Sequence, residues 1–303
     1  MLYPVIDIGS NTVKIAIYDS DSASQFTPFF FKSYPLKLGE SRSSGCLERS
    51  ALEKLSCLLN TYIFFCEEKG CADRLKIFAT ASLRGIRNTT QVKKYIKDNN
   101  KYDITILSGN DEARYSLKGI CAIDKVKSGL AVDMGGGSTE FISFENGEIN
   151  NAHSFKFGIL KLNEILLSKG ASPLQSFICR KLCSMSYIDK NRLPLIACGG
   201  SARALLAAKK IIHGGDDTIT KKQLYTFVRD VNELDQSRMT LLEGTVTDRM
   251  NMLETISAVF YTFMKAANVQ SFTVTRGGVR EGFVYQWMKE ENTLKEQEDE
   301  VMI

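Results

Sequence analysis

The sequence predicts an α/β protein built from two similar domains that face each other across a cleft. Residues 3–18 and 130–144 share one pattern, in which an apolar strand ends in an aspartate, glycine and small polar residues follow, and a second apolar strand resumes. An internal repeat of this kind sets the architecture of a chain. The 303 residues are enough for two domains with separate cores. We place the first domain at residues 1–124 and the second at 125–303, with the option that a final helix over about 283–303 packs on the first.

Runs with strand character alternate with runs of helical periodicity along both halves, as is typical of the α/β class. Besides the two hairpins, we expect strands over residues 26–34, 75–79, 104–107, 148–154, 193–197 and 271–275. We expect helices over residues 48–69, 91–97, 110–120, 159–168, 174–185, 204–212, 224–234, 247–267 and 283–289. The stretch 235–240 is polar and predicts a connection, and the charged tail 291–300 predicts a frayed end.

The central repeat predicts a β-hairpin whose turn is the glycine run Gly135–Gly137. N–H groups of successive glycines can converge on a phosphate oxygen. Asp133 ends the first strand, and Ser138, Thr139 and Glu140 follow the glycines. A carboxylate beside a phosphate needs a divalent cation to offset their repulsion, and Mg²⁺ prefers such oxygen ligands. The alternative interpretation is a glycine-rich turn that holds no ligand.

The first repeat has the same arrangement near the amino terminus. Asp7 ends a strand, and Gly9, Ser10 and Asn11 form the turn. We therefore expect a second phosphate loop here. Two such loops from two similar halves could clamp one nucleotide or phosphate chain between them.

Arg84 is the next candidate anion-binding residue. It follows a predicted strand, in a turn that the sequence predicts to lead into a helix capped by Thr80 or Ser82. A phosphate at that helix start would meet a guanidinium together with backbone N–H groups. The alternative interpretation is a surface arginine.

Two adjacent acids, Asp111 and Glu112, begin the helix near residue 110. Acids are favoured there by the helix dipole and can be plain caps; alternatively, one of them activates water as a general base. Their side chains point about 100° apart, so at most one faces the cleft. A third candidate anion site is the strand–Gly-Gly-Ser–helix junction at Gly199–Arg203, for which a tight packing turn is the alternative.

Composition excludes several other classes of protein. A net charge of +4 is too weak to indicate nucleic-acid binding. Eight cysteines lack a C-x-x-C pair, and the two histidines, His153 and His213, lie outside zinc-finger spacing, so we expect buried, reduced thiols. No leader, Walker loop or apolar run of ~18 residues is present. We expect a cytoplasmic protein without membrane or nucleic-acid partners, and leave a homodimer open.

Eight motifs, in order along the whole chain, resemble the exopolyphosphatase and guanosine pentaphosphate phosphohydrolase (Ppx/GppA) family, within the actin-like ATPase superfamily. The motifs are VIDIGSNTVKIAI, KLGE, TASLRGIRN, ILSGNDEAR, AVDMGGGSTEF, FGILKLNE, ACGGSARAL and GGVREGFVY. The pairing of SGNDEAR with DMGGGSTEF is the most specific part, because sugar kinases and actins lack it.

The resemblance implies two ribonuclease H-like domains, each with a mixed five-stranded sheet, and Mg²⁺-dependent hydrolysis of terminal phosphates. By this resemblance Glu112 is the general base and Arg84 clamps phosphate. Asp133 and Glu140 position metal or water, with Glu140 counted as both catalytic residue and metal ligand, and Asp7 is a further metal ligand. The phosphate-binding residues implied are Gly9, Ser10, Asn11, Gly135, Gly136, Gly137, Ser138 and Thr139.

The chain departs from the family pattern in its second half. Lys161 and Asn251 replace a common arginine and aspartate, Ile256 replaces a common glycine, and the Gly199–Arg203 junction replaces a more usual Gly-Gly-Thr. The chain also stops where longer relatives carry a further helical module, so we expect the short, two-domain type. These departures leave the predicted acids in place but can reshape the substrate side.

The resulting expectation is a Mg²⁺-dependent phosphohydrolase of inorganic polyphosphate, short chains before long, or of guanosine pentaphosphate. One alternative is a phosphotransferase of the same fold. Another is a non-catalytic sensor that binds guanosine tetraphosphate or pentaphosphate. Several retained acids favour hydrolysis, because carboxylates beside a phosphate weaken simple binding unless a metal is present.

Overall fold

The protein is described by a computed structural model that covers residues 1–22, 25–185, 187–188 and 193–301. It divides into two compact units: unit 1 comprises Met1–Ala122 and Val279–Ile303, and unit 2 comprises Ile123–Gly278. The first segment thus ends two residues before the expected boundary. The final helix, which the sequence assigned to the second domain with the option of packing on the first, belongs to unit 1.

Unit 1 is built on a five-stranded mixed sheet. Its elements before the crossing to unit 2 are β1 (Leu2–Ile8), β2 (Val13–Ser22), β3 (Gln25–Tyr34), β4 (Arg42–Ser43), β5 (Cys46–Leu47), α1 (Arg49–Glu68), β6 (Lys76–Ala79), α2 (Thr89–Asn100), β7 (Ile104–Ile106) and α3 (Gly109–Asp124). The strand order is β3-β2-β1-β6-β7, in which β1–β2 and β2–β3 are antiparallel and β6 and β7 are parallel to β1. The β4–β5 pair is a separate two-residue hairpin.

The core of unit 1 follows from its apolar patterns. Ile6, Ile8 and Ile15 of the central strands are fully buried against the apolar stripe of α1, which includes Leu55 and Leu59. The predicted helix over residues 48–69 is therefore confirmed, as is its core-facing stripe.

Unit 2 is built on a six-stranded mixed sheet. Its elements are β8 (Gly129–Met134), β9 (Thr139–Glu145), β10 (Glu148–Phe155), α4 (Ile159–Lys169), α5 (Ala171–Leu182), β11 (Leu195–Cys198), α6 (Gly199–His213), β12 (Thr218–Thr220), α7 (Lys221–Asn232), α8 (Gln236–Thr245), α9 (Leu253–Ala266) and β13 (Ser271–Val274). The strand order is β10-β9-β8-β11-β13-β12. The five-stranded sheet that the resemblance implies for each domain is therefore correct for unit 1, whereas the sheet of unit 2 has one strand more.

The last helix, α10 (Val279–Val301), completes unit 1. Val284, Trp287 and Met288 bury themselves against aromatic and aliphatic residues of the sheet, including Tyr3 and Phe78. The helix is longer at both ends than residues 283–289, and the charged tail expected to fray is helical to residue 301. The apolar contacts with the sheet come from the first part of the helix, which precedes the charged tail.

Several local predictions are wrong. Residues 80–85 form turns and the following helix begins at Thr89 with Asn88 as its cap residue, so neither Thr80 nor Ser82 caps it. The α6 helix begins at Gly199, five residues before the expected start. The polar stretch 235–240 lies largely in α8, and residues 247–252 are a 3₁₀ helix ahead of α9. Asp235 caps α8 through its side chain, which explains why a polar sequence starts a helix there.

The expectation of buried thiols holds for only part of the cysteines. Cys66, Cys71 and Cys198 are buried, but Cys57, Cys179 and Cys183 are exposed. The exposed residues lie on α1 or at α5, away from the apolar stripes of these helices. None of the helices in the described part of the chain combines the length and apolarity that a membrane crossing needs.

Candidate functional site

The turn of the β1–β2 hairpin carries the first group of predicted site residues. The two strands pair antiparallel with Asp7 opposite Lys14, as the sequence predicted for a hairpin. The Gly9 N–H donates to the Thr12 carbonyl oxygen at 3.0 Å and closes the turn. Lys14 Nζ lies 3.3 Å from Asp7 Oδ2, so the Asp7 carboxylate is partly neutralised within unit 1.

Asn11 is the residue of this turn whose polar side chain is buried without a partner among the described residues. Its side chain is 2% exposed, and neither amide atom has a hydrogen-bond partner among the described residues. A buried polar group in this condition costs about 1–3 kcal/mol. The amide of Asn11 is therefore suited to a polar ligand such as a phosphate oxygen, which its N–H₂ group could bind.

Arg84 and Glu112, predicted separately, form an ion pair. Arg84 Nη1 donates both to Glu112 Oε1 and to the Leu107 carbonyl oxygen, the latter at 3.1 Å. Glu112 is 4% exposed, whereas the Arg84 side chain is 27% exposed. Arg84 is thus a half-buried residue that binds Glu112 on one side and reaches solvent on the other.

The two adjacent acids have different structural roles. Asp111 Oδ2 accepts hydrogen bonds from the Ser108 N–H at 3.0 Å and the Ser108 hydroxyl at 2.7 Å, and the Asp111 N–H donates to the Ser108 hydroxyl oxygen at 3.1 Å. The two residues thus bind each other reciprocally at the start of α3. Glu112 points inward to Arg84. The turn that carries Arg84 is itself tied to the end of β1, because the Thr80 N–H and the Ser82 hydroxyl both donate to the Ile8 carbonyl oxygen.

The turn of the β8–β9 hairpin carries the second group. The Gly135 N–H donates to the Ser138 carbonyl oxygen at 3.0 Å. The Gly135 and Gly136 carbonyl oxygens accept from the Ile159 and Leu160 N–H groups at the start of α4, at 3.0 and 3.1 Å. These bonds satisfy the first N–H groups of the helix and fix the glycine run against it.

Asp133 and Glu140 lie directly opposite each other in the β8–β9 ladder. Residues paired in this way project from the same face of the sheet, with Cβ atoms about 4.5–5.5 Å apart. Glu140 is 1% exposed and accepts a hydrogen bond from the Ser154 hydroxyl at 2.8 Å. The structure therefore brings the two predicted acids of unit 2 onto one face beside the glycine turn.

The third candidate anion site, the β11–α6 junction, abuts Asp133. In the parallel β8–β11 register Cys198 lies opposite Asp133. Burial, and after it the Asp133 carboxylate, raise the pKa of the Cys198 thiol well above its ordinary value. At Gly199 φ is +84° and an added Cβ would lie 2.3 Å from Asp133 Oδ1, so any other residue would be strained and would displace the Asp133 carboxylate.

Two charged residues of these sites, Arg249 and Lys14, were not identified from the sequence. Arg249 is nearly buried and donates from Nη1 to the Ser201 hydroxyl at 3.0 Å. Burial and the repulsion of Arg203 lower the pKa of Arg249 to about 10. Nothing in its local sequence signals this position, because it lies in the unpredicted 3₁₀ helix. Lys14 could have been found, since a hairpin centred on residues 9–12 places it opposite Asp7.

The described carboxylates suit one type of metal site only. Within the residues that the structure covers, no three His, Cys, Asp or Glu side chains form a metal-binding group, so an all-protein cage is not built there. Mg²⁺ is usually held by one or two carboxylates together with substrate phosphates. Asp133 and Glu140 fit that second arrangement, and Asp7 is already paired with Lys14.

The chain shares sequence similarity with two kinds of named protein. Exopolyphosphatase 1 of Mycobacterium tuberculosis is 24% identical over 304 aligned positions, which cover 92% of this chain and 86% of that protein. The guanosine-5'-triphosphate,3'-diphosphate pyrophosphatase of Photobacterium profundum is 24% identical over 298 positions, covering 95% of this chain. The chain spans only 59% of the length of this second relative.

Solved structures have the same fold. An exopolyphosphatase from Cytophaga hutchinsonii superposes with a TM-score of 0.84 at 19% identity, covering 96% of this chain and 98% of that one. The Ppx/GppA family member from Aquifex aeolicus superposes with a TM-score of 0.77 at 20% identity, covering 96% and 99%. The sequence profile of the Ppx/GppA phosphatase family matches residues 16–291. The chain therefore belongs to the Ppx/GppA phosphatase family.

Proposed function

We propose that this protein is a phosphohydrolase that removes the terminal phosphate from inorganic polyphosphate, short chains before long, or from guanosine pentaphosphate. The family membership and the names of the two relatives support this reaction class. The observation that carries the proposal is the inward-facing Glu112 with its Arg84 partner, on a turn bonded to the end of β1.

Glu112 is the general base in this proposal. A water molecule attacks the terminal phosphorus, its proton passes to a Glu112 carboxylate oxygen, and the bond from phosphorus to the bridging oxygen breaks. Arg84 contributes in two ways: it orients Glu112 by hydrogen bonding, and its exposed side stabilises charge on the phosphoryl oxygens. Asn11 in unit 1 binds a phosphate oxygen through the amide that has no other described partner.

The unit 2 residues supply a second set of phosphate and metal ligands. Ser138, Thr139 and the Gly135–Gly137 turn would bind phosphate oxygens, and Asp133 and Glu140 would hold a divalent cation. Mg²⁺ is the proposed ion, because the donors are oxygens and too few for a closed cage. When bound, it would neutralise charge on the phosphate chain. We also propose a cytoplasmic location, supported by the eight free cysteines.

The first test is phosphate release from tripolyphosphate, long polyphosphate and guanosine pentaphosphate, each with Mg²⁺ or with EDTA. We expect release from at least one substrate, lowered by about tenfold or more in EDTA. The order of the three rates identifies the substrate. If the folded protein releases phosphate from none of them, hydrolysis is excluded. Guanosine tetraphosphate binding would then favour a sensor, and phosphate transfer to an acceptor would favour a phosphotransferase.

Gly199→Ala tests the role of Asp133. The new Cβ would lie 2.3 Å from Asp133 Oδ1, so the carboxylate has to move, and misplacement of a reacting group by 1 Å can cost about 100-fold in rate. We expect turnover to fall by about ten- to a hundredfold in a protein that still folds.

Gly214→Ala is the matched control, at the opposite end of the same helix. Its φ of +70° imposes a similar backbone strain, but nothing lies within 4 Å of the added Cβ. Its turnover should equal that of the unaltered protein. Equal losses in both variants would mean that backbone strain, and not displacement of Asp133, lowers the rate.

A further inference from the structure

The β4–β5 hairpin is hydrogen-bonded to the turn that carries Arg84. Arg42, the first residue of β4, donates from Nη2 to the carbonyl oxygens of Ala81 at 2.8 Å and Ser82 at 2.6 Å. These carbonyls lie two and three residues before Arg84, so the Arg42 guanidinium bridges two consecutive peptide groups of the turn.

The same hairpin holds the other end of that segment. The Arg87 N–H donates to the Gly45 carbonyl oxygen at 2.8 Å. The Leu47 backbone and the Asn88 side-chain amide exchange two hydrogen bonds, both of 2.9 Å. Hydrogen bonds from the hairpin therefore hold residues 81–88 at both ends, and Arg84 lies between them.

The segment before the hairpin is bonded to the first phosphate loop. The Lys37 N–H donates to the Asn11 carbonyl oxygen at 2.9 Å, and the Gly39 N–H donates to the Ser10 carbonyl oxygen at 2.8 Å. One stretch of chain, residues 37–47, thus contacts both the loop and the Arg84 turn. The KLGE motif, which the sequence analysis left without a role, begins this stretch.

For stability alone, an arginine at position 42 is less favourable than an apolar side chain would be. Burial lowers the pKa of its guanidinium, and its buried Nε has no hydrogen-bond partner among the described residues. A buried donor left in this way costs about 1–3 kcal/mol, which an apolar side chain of similar length would avoid. The bonds that Arg42 gains in return all go to the Arg84 turn.

We propose that residues 37–47 are a clamp that fixes Arg84 relative to the first phosphate loop, and that Arg42 is a positioning residue acting through Arg84. This inference rests on the proposed hydrolysis, in which Arg84 orients Glu112 and contacts the phosphoryl group. Arg42 itself touches neither substrate nor reacting atoms in this arrangement.

A double-mutant cycle on phosphate release tests the inference. We expect Arg42→Met to lower kcat/KM by about tenfold in the unaltered background, and by less than about twofold in an Arg84→Met background. Arg42→Lys should retain most of the rate, because an ammonium can still donate to both carbonyls. Arg49→Met, which removes an exposed partner of Glu53 on α1, should leave kcat/KM unchanged. Equal losses in both backgrounds, or no loss from Arg42→Met, would overturn the role assigned to Arg42.

Hydrogen exchange provides a readout that does not need activity. Arg42→Met should accelerate amide exchange in residues 81–88 and leave exchange in α1 unchanged. Unchanged exchange in residues 81–88 would overturn the clamp, whatever the kinetics show. If the unaltered protein releases no phosphate, the proposed hydrolysis fails, and with it the effect of Arg42 on its rate. The exchange measurement still decides whether Arg42 holds the turn.

Discussion

Glu112→Gln is expected to lower kcat for phosphate release by about 10²–10⁴-fold while the protein stays folded. General-base catalysis by a positioned carboxylate contributes about this factor. The amide has the same shape, and its Oε1 can still accept the hydrogen bond from Arg84 that the carboxylate accepts now. It cannot take a proton from water. The measurement is single-turnover phosphate release beside a binding assay with tripolyphosphate, in which affinity should change little.

Asp111→Asn is the matched control for this experiment, because it alters the neighbouring acid of the same helix. Asp111 accepts hydrogen bonds from Ser108 at the start of α3. The amide oxygen of asparagine can accept them too, so the substitution should lower stability by less than about 1 kcal/mol and leave kcat nearly unchanged. Turnover that survives in Glu112→Gln, or falls equally in Asp111→Asn, would show that Glu112 is not the base.

Gly282→Ala should destabilise unit 1 strongly, although alanine has a higher helix propensity than glycine. In an exposed helix interior this substitution stabilises by about 0.5–1 kcal/mol. In α10, however, the added Cβ would lie 1.8 Å from the Tyr115 carbonyl oxygen and 2.8 Å from the Gly119 nitrogen, both backbone atoms of α3. Neither can rotate away, so the two helices have to separate. We expect a loss of about 3 kcal/mol or more and a Tm lower by about 6–12 °C.

Gly244→Ala is expected to change the free energy of unfolding in the opposite direction. Gly244 lies inside α8, and nothing is found within 4 Å of its added Cβ. Its unfolding free energy should therefore rise slightly. Thermal unfolding and denaturant titration of both variants distinguish the effect of helix propensity from that of the steric clash. A stable Gly282→Ala protein would mean that α10 and α3 do not approach as closely as described.

The hairpins show how much of the site sequence alone can predict. Local patterns determine them: an apolar strand, a glycine turn and a second strand place Asp7 and Asp133 at strand ends and Glu140 opposite Asp133. The pairing of Asp7 with Lys14 follows from the same register. These features depend on neighbours within about fifteen residues, which a single sequence contains.

Other features depend on contacts that are distant in sequence. The Thr80–Gly85 turn looks like a helix start, but hydrogen bonds from Thr80 and Ser82 to Ile8 hold it in another conformation. The α6 helix begins at Gly199, whose close approach to Asp133 in β8 is a contact between residues distant in sequence. The α8 helix buries only Leu242 and therefore shows no apolar stripe. Arg249 joins the site through tertiary packing alone.

The return of α10 to unit 1 has a consequence for how the chain is made. Unit 2 is continuous in sequence, whereas unit 1 is composed of the first and the last parts of the chain. During synthesis, the sheet face formed by Tyr3, Val5 and Phe78 has no α10 to cover it until residues 279–301 leave the ribosome. Unit 2 can thus complete its core before unit 1 does, although it is synthesised later than most of unit 1. Until then, the growing chain carries an exposed apolar surface of the kind that chaperones bind.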